Sequence, residues 1–328
     1  MKALPEEFEE SALIGSLAGG WGFEVELAEY AEVGFGSYHW VVTDGAGRRG
    51  FVTVDDLDGK PWLGDTRESA FDGLRRAFDT AVALRDSGLG FVVAPIPAGG
   101  GETMQRIGSR HTIALFPFVE GQAGRYGGYD TADERAAVVT MLAELHGAPP
   151  AVAALARRAD LGLPGRRQLE SSLQDLNQPW AGGPFSEPAR RVLSDHAAEV
   201  AALLAAADRL AVEVGTRGSN WVVTHGEPHP GNVIRTDESL VLVDWDTVAL
   251  APPERDLWMV GTDGGDGAEL YAEATGHRVD DGATNFFRIA WDIADLAVYV
   301  NLFRSPHGRS EDTAEAYDNL ARCVSCRP

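Results

Sequence analysis

Five side chains able to bind a metal ion or move a proton fall close together: Glu227, His229 and Asn232 in HGEPHPGN (225–232), then Asp244 and Asp246 in DWD (244–246). The stretches beside them, WVVTH (221–225) and SLVLVDW (239–245), are apolar and read as two short strands bracketing a polar loop. Such a unit aims several carboxylates and an amide at one point, and core packing does not explain all five residues. Hard oxygen ligands, one or two carboxylates with an amide oxygen, suit Mg²⁺ on phosphate groups. A further carboxylate suits a base or an acceptor that orients a hydroxyl near a γ-phosphate. Residue types and spacing together point to phosphoryl transfer.

The elements that must position this stretch form two groups. After a short helix around 6–17, FEVELAEYA (23–31), HWVVTD (39–44) and RRGFVTVDD (48–56) read as strands, joined by the Gly-rich turns GFGS (34–37) and DGAG (44–47). A helix is expected over 66–86, stopped by Ser87-Gly88, and two further strands over 102–107 and 111–119. From residue 130 the pattern becomes helical: 130–146 is amphipathic, with Val138, Met141, Leu142 and Leu145 at helical spacing. Two or three more helices are expected between 151 and 215, and a long one near 280–303. The expectation is an α+β chain of two lobes, a sheet-rich N-lobe over 1–119 and a mainly helical C-lobe over 120–328.

With 328 residues, 44% of them apolar, the chain can bury a core of that size. No apolar run is long enough to span a membrane, and MKALPEEFEE is too acidic and interrupted for a secretion signal. A cytoplasmic protein, without a membrane partner and monomeric or weakly dimeric, is the expectation. The net charge of -22 would repel nucleic acid and suits a cationic substrate, although an acidic balance also serves solubility alone. Cys323 and Cys326 form a lone CxxC without zinc-type partners, read as thiols of the C-terminal tail. Lysine occurs only at positions 2 and 60.

HGEPHPGN followed by DWD resembles the HxDxHxxN and DxD elements of the aminoglycoside phosphotransferase family, relatives of the protein kinases. The pattern is most similar to that of spectinomycin phosphotransferases, including LAPPERDL (250–257), RIAWDIADLAVY (288–299) and the hinge-like IALFPFVEG (113–121). The resemblance is dense over 221–258. It implies a kinase-like fold, Mg²⁺ and ATP or GTP, and a small-molecule acceptor such as an antibiotic. By position, Asn232 and Asp244 would hold Mg²⁺, with Asp246 close behind. Glu227 would orient or deprotonate the acceptor hydroxyl, while His225 and His229 would brace the catalytic loop, His229 toward the substrate side. Asp256 would tie the following helix to that loop. Adenine would meet the main chain between Phe116 and Phe118, and Gly36 and Ser37 would lie over the phosphates unless GFGSY (34–38) is a plain hairpin.

Two positions depart from the family. Glu227 stands where the family has aspartate, and one added methylene moves a carboxylate by about an ångström, enough to cost ~100-fold in rate without compensation. Thr53 stands where a phosphate-binding lysine is expected on the third strand, and Arg75 where its glutamate partner would be. Lys60, in LDGKP, reads as lying in a turn and unable to step in. Arg75, or else Arg76, is therefore expected to supply the positive charge; the other reading leaves Arg75 on a solvated helical face. On the acceptor side, Asp292 and Asp295 lie one helical turn apart and could receive an amine, with Trp291 and Tyr299 as stacking surface. Solvation of the two aspartates and core packing of the two rings are the open alternatives. A non-catalytic pseudokinase that binds a nucleotide or small ligand is the competing functional reading, supported by Thr53 and Glu227.

Overall fold

The computed structural model describes residues 4–5, 8–34, 36–216, 221–261 and 266–325. Phe35 of the Gly-rich turn and Cys326 of the CxxC fall outside that set. Packing divides the described residues into two units, one within Ala3–Ala159 and Asn220–Val279, the other within Asp160–Ser219 and Asp280–Pro328. The expected division at 119/120 falls inside the first of these, because the segment carrying the candidate residues packs with the N-terminal part of the chain.

The first unit begins with α1 (Glu10–Trp21), starting four residues later than expected, and then β1 (Val25–Ala31), β2 (Ser37–Asp44) and β3 (Arg49–Asp56). Helix α2 (Arg67–Asp86) follows, then β4 (Gln105–Ile107) and β5 (His111–Pro117). The strands form one antiparallel sheet in the order β1-β2-β3-β5-β4. Alternation decides its two faces. Trp40, Val42, Val52, Val54, Ile113 and Leu115 bury against Leu13 and Leu17 of α1. Ala114 and Phe116 turn the other way, to Leu74 and Phe78 of α2. Helix α2 starts on a capping box, in which Thr66 and Ser69 satisfy each other's backbone N–H, and ends before Gly88 at φ 106°.

Beyond the sheet come β6 (Gln122–Ala123), α3 (Ala132–His146) and α4 (Pro150–Ala153), and the chain passes into the second unit through α5 (Arg166–Gln174), α6 (Ser186–Asp195) and α7 (Ala197–Thr216). It returns to the first unit with β7 (Val222–Thr224), β8 (Val233–Arg235), β9 (Leu240–Leu242), β10 (Ala249–Ala251), α8 (Glu254–Leu257) and α9 (Asp266–Thr275). The two strands expected to bracket the polar loop both form, but they do not pair with each other. β7 pairs with β10, Thr224 opposite Ala249, whereas β9 pairs with β8, Leu242 opposite Val233. Leu142, Leu145, Val223, Val233, Leu242 and Trp245 share one core beneath these strands.

The second unit closes with α10 (Asp281–Arg304), the long helix expected, capped by the Asp280 carboxylate on Ala283 N–H, and with α11 (Glu311–Ser325). Ile293, Leu296, Val300 and Phe303 of α10 bury against Leu169, Leu193, Val200 and Leu320. Cys323 is half-buried against this core. Among the described residues no helix is long and apolar enough to cross a membrane.

Candidate active site

The polar loop after β7 is held by its own backbone. The Asp256 carboxylate, fully buried at the start of the following helix, accepts the His225 N–H at 2.8 Å, the Gly226 N–H at 2.6 Å and His146 Nε2 at 3.1 Å. Burial alone would raise the Asp256 pKa, but the His146 hydrogen bond and the cationic surroundings outweigh it and hold the group below the usual carboxylate range. Gly226 sits at φ 104°, and a Cβ there would meet the Arg255 guanidinium at 2.4 Å. Arg255 in turn donates to Thr224 Oγ1 and to the Thr247 carbonyl, both at 2.9 Å, so that side of the loop is packed shut.

His225 is hydrogen-bonded within the loop through both ring nitrogens. Its Nε2 lies 2.9 Å from the Val243 carbonyl, which can only accept, and its Nδ1 accepts the Glu227 N–H at 3.2 Å. That pattern fixes a neutral imidazole protonated at Nε2. Burial agrees, pushing the pKa down to about 4. The Asn232 amide donates to the Glu227 carbonyl at 3.0 Å, which turns its Oδ1 away as an available acceptor. Val243 N–H donates to the Asn232 carbonyl at 3.0 Å. His225 and Asn232 together therefore clamp the residue immediately before Asp244. Asp244 itself has φ 66°, the one positive value at a non-glycine residue among those described.

Glu227, Asn232, Asp244 and Asp246 are thus drawn together by short links. Neither the Glu227 nor the Asp244 carboxylate has a hydrogen-bond or ion-pair partner among the described residues. Burial and then Asp244 and Asp246 raise Glu227 well above the usual range, against the pull of Arg255 and Lys60. Asp244 is raised to about 7, by its surroundings first and then by Asp246, with Lys60 opposing. Its side is nevertheless open to solvent, so water screens part of that shift. An accessible carboxylate without a cation, beside an amide oxygen without a donor, is a donor set that fits Mg²⁺. Among the described residues no three His, Cys, Asp or Glu side chains form a self-sufficient metal cage.

Arg75 and Arg76, expected to project toward the site, are paired elsewhere. Arg75 pairs with Asp79 at 3.0 Å and Asp72 at 3.7 Å along its own helix, and Arg76 donates to the carbonyls of Leu155 and Ala156, both at 3.2 Å. Both arginines are engaged away from the carboxylates. Lys60, read from sequence as stranded in a turn, is instead 1% exposed and reaches Asp55 Oδ1 at 2.9 Å and Asp246 Oδ2 at 2.7 Å. A single 3-10 turn, Leu57–Gly59, folds the chain back after β3, and Leu57 and Leu63 bury against Leu74 and Phe78 on either side of the lysine. At Gly73 of α2 a Cβ would meet the Leu63 carbonyl at 2.6 Å, which explains glycine within that helix. Burial would lower the Lys60 pKa, but Asp246 and Asp55 outweigh it and keep the amine charged. The overlooked signal was compositional, a lone internal lysine in a chain that otherwise uses arginine.

The remaining candidates spread outward. Ser37 Oγ donates to Asp55 at 2.7 Å and receives Lys60 Nζ at 3.1 Å, while Gly36 takes φ 91° beside it. Thr53 Oγ1 lies 3.3 Å from His39 Nδ1, and burial lowers the His39 pKa to about 3, so no cation replaces lysine on the strand. The Phe116 ring is buried edge-on to Phe78 at 5.6 Å, and Arg49 lies over Phe118 at 3.6 Å. The His229 ring meets Tyr126 edge-on at 4.9 Å, and its pKa is lowered by burial to about 4. In the second unit, Asp295 of α10 is raised to about 7 by burial and by Asp292. Trp291 is half-buried, and Tyr299 packs in the α10 core.

Comparison with known proteins agrees with this geometry. Residues 17–286 match the phosphotransferase enzyme family, APH. "Protein StrN" of Streptomyces griseus is 28% identical over 252 residues, 75% of each chain. The structure of spectinomycin phosphotransferase APH(9)-Ia with ADP and spectinomycin superposes with a TM-score of 0.73 at 19% identity, over 96% of this chain and 94% of that one. A microcompartment-associated aminopropanol kinase gives 0.62 at 14% identity, over 96% and 95%. At those identities the likeness is one of fold, and the α+β, kinase-like class with a sheet N-lobe and helical C-lobe holds.

Proposed function

Because this chain belongs to the phosphotransferase enzyme family, we propose that it moves the γ-phosphoryl group of ATP or GTP, with Mg²⁺, to a hydroxyl of a small amine-bearing antibiotic. The acceptor would be of the aminocyclitol, aminoglycoside or sugar-nucleoside kind. The observation that carries this reading is the pair of cation-free carboxylates, Glu227 and Asp244, joined to Asn232 through the Glu227 carbonyl and the Asn232–Val243 backbone bond. Asn232 Oδ1 and Asp244 would hold Mg²⁺, with Asp246 behind them. The metal would neutralise charge on the transferred group.

The rest falls to the chain itself. Glu227, raised above the usual carboxylate range, is suited to accept a hydroxyl proton near neutral pH and to orient that hydroxyl. His225, a neutral brace, keeps the Glu227 backbone and Val243 in register. Asp292 and Asp295 are assigned to an acceptor amine: a carboxylate raised to about 7 returns to its ionised form beside an ammonium group. The names of two structural relatives, a spectinomycin phosphotransferase and an aminopropanol kinase, share an acceptor with both amine and hydroxyl, which supports the same assignment. The non-catalytic alternative rested partly on a missing cation, and a charged Lys60 paired with Asp246 supports the catalytic reading instead.

Purified protein incubated with Mg²⁺ and ATP or GTP against a panel of antibiotics and simple amino alcohols, read by mass spectrometry, tests the proposal. A product heavier by one phosphoryl group, formed only with Mg²⁺, is expected. Ligand binding that ignores Mg²⁺, with no phosphorylated product from any acceptor, would refute it.

A further inference from the structure

Lys60 Nζ has three close partners: it donates to Ser37 Oγ at 3.1 Å and to Asp246 Oδ2 at 2.7 Å and forms an ion pair with Asp55 Oδ1 at 2.9 Å. The partners are not equivalent. Ser37 and Asp55 face each other on β2 and β3, directly opposite in the register, and are bonded to one another at 2.7 Å. They form a fixed socket. Asp246 belongs to the loop after β9. Its side chain is 12% exposed against 1% for both Lys60 and Asp55, so the open edge of the cluster lies on the Asp246 side. Asp55 Oδ2 has no partner in its buried position, which ties Asp55 to Lys60 as its counter-ion.

Charge makes the same demand. Glu227, Asp244 and Asp246 would repel a nucleotide phosphate, and Arg255 is committed to Thr224 and Thr247 behind Gly226. Among the described residues, Lys60 is the remaining cation paired with this group.

We propose that Lys60 is the phosphate-facing cation of this site, carried on the turn after β3, with Asp55 as its permanent counter-ion and Asp246 as a partner exchanged for a nucleotide phosphate. The inference rests on the nucleotide-dependent reading above. Once Asp246 turns to a metal ion, one N–H of Lys60 is freed on the open side. A buried donor left unpaired is unfavourable, and a phosphate oxygen is the acceptor that satisfies it. Lys60 then performs on a turn the work that Thr53 cannot perform on the strand.

Affinities for ADP and adenosine, with GDP and guanosine in parallel, are to be measured with Mg²⁺ by calorimetry on the wild type and on Lys60→Met. Loss of ADP affinity by about 10- to 100-fold, with adenosine affinity unchanged, is expected. Equal ADP binding by a folded Lys60→Met protein overturns the assignment. A purely structural lysine would weaken both ligands alike, which also overturns it.

Because that variant can fail to fold, a second measurement uses the wild type. With lysine only at 2 and 60, protein labelled with ¹⁵N at lysine Nζ offers at most two side-chain signals. The Lys60 signal should move on adding Mg²⁺ and ADP and stay in place with adenosine. An unmoved signal in protein that binds ADP sinks the lysine assignment alone. Wild type that binds neither nucleotide removes the nucleotide-dependent reading, and the assignment with it.

Discussion

Replacing Asp256 by asparagine preserves shape and volume and asks how much of the catalytic loop hangs on one carboxylate. Both oxygens are acceptors in the native site: Oδ1 receives Gly226 N–H, and Oδ2 receives His225 N–H and His146 Nε2. Asparagine offers one acceptor and one NH₂. However the amide is turned, its NH₂ opposes at least one backbone N–H that cannot reach water. One charge-assisted bond is lost and one buried donor is orphaned, for a cost of about 3–5 kcal/mol. At roughly 2–4 °C per kcal/mol for a unit of this size, the melting temperature should fall by about 10 °C. Gly226 adjoins Glu227, and a loop shift of ~1 Å there should lower kcat by ~100-fold. Thermal melts followed by circular dichroism, with steady-state phosphate transfer measured well below the variant's midpoint, test both numbers. A midpoint within 2 °C of wild type (~1 kcal/mol or less) together with unchanged kcat would show that Asp256 does not hold the loop.

Further outcomes follow from the same geometry. Glu227→Asp draws the carboxylate back along a backbone pinned at both its N–H and its carbonyl, so kcat should fall by about 10- to 100-fold, despite aspartate being the family's residue; activity equal to wild type would show that the loop adapts freely. Arg75→Ala removes two exposed pairs along α2, and both nucleotide affinity and stability should stay within about 1 kcal/mol of wild type; a tenfold loss of nucleotide affinity would return that arginine to the site. Glu227 and Asp244 have raised pKa values, Asp244 to about 7, so above the ordinary carboxylate range the folded protein holds more protons than the unfolded chain. Their contribution is therefore full below that range and fades as pH rises through the raised pKa of each group, for Asp244 about 7, by an amount that solvent at Asp244 reduces. Mg²⁺ should accordingly raise the melting temperature more at pH 8 than at pH 6, and equal increments would count against a metal held by these carboxylates.

The elements with strong patterns were legible. β1 to β3, α2 with its Thr66 cap and Gly88 stop, α3 and α10 all formed within a few residues of their expected bounds, because alternation, caps and long apolar stripes are local signals. The three-residue strands β8 and β10 and the two-residue β6 were not, since so few residues carry no period, and the pairing of β7 with β10 depends on contacts the sequence does not print. Within the site, the motif residues were named from spacing, and their links through Val243 and Asp256 explain why residues so spaced lie together. Lys60 escaped because Gly59 and Pro61 mark it as a turn residue. The same turn is buried by Leu57 and Leu63, and burial of a turn is decided by the helix packed over it. For Arg75 the structure has the alternative left open, a helical-face arginine paired along the helix with its i−3 and i+4 aspartates, a pairing the spacing itself offered.

The left-handed backbone at Asp244 has a consequence for how a ligand is received. An L-residue at φ 66° is unfavourable on its own, and here it is enforced by hydrogen bonds to both the N–H and the carbonyl of Val243. Folding has thus already spent the conformational freedom that a flexible carboxylate would surrender on meeting a cation. The entropy of ordering belongs to the unfolded-to-folded step, and under the proposed function a metal would arrive at a backbone that has no further choice to make. A glycine at 244 would relieve the backbone and remove the carboxylate in the same stroke, so conformational ease and the proposed metal affinity would pull this position in opposite directions.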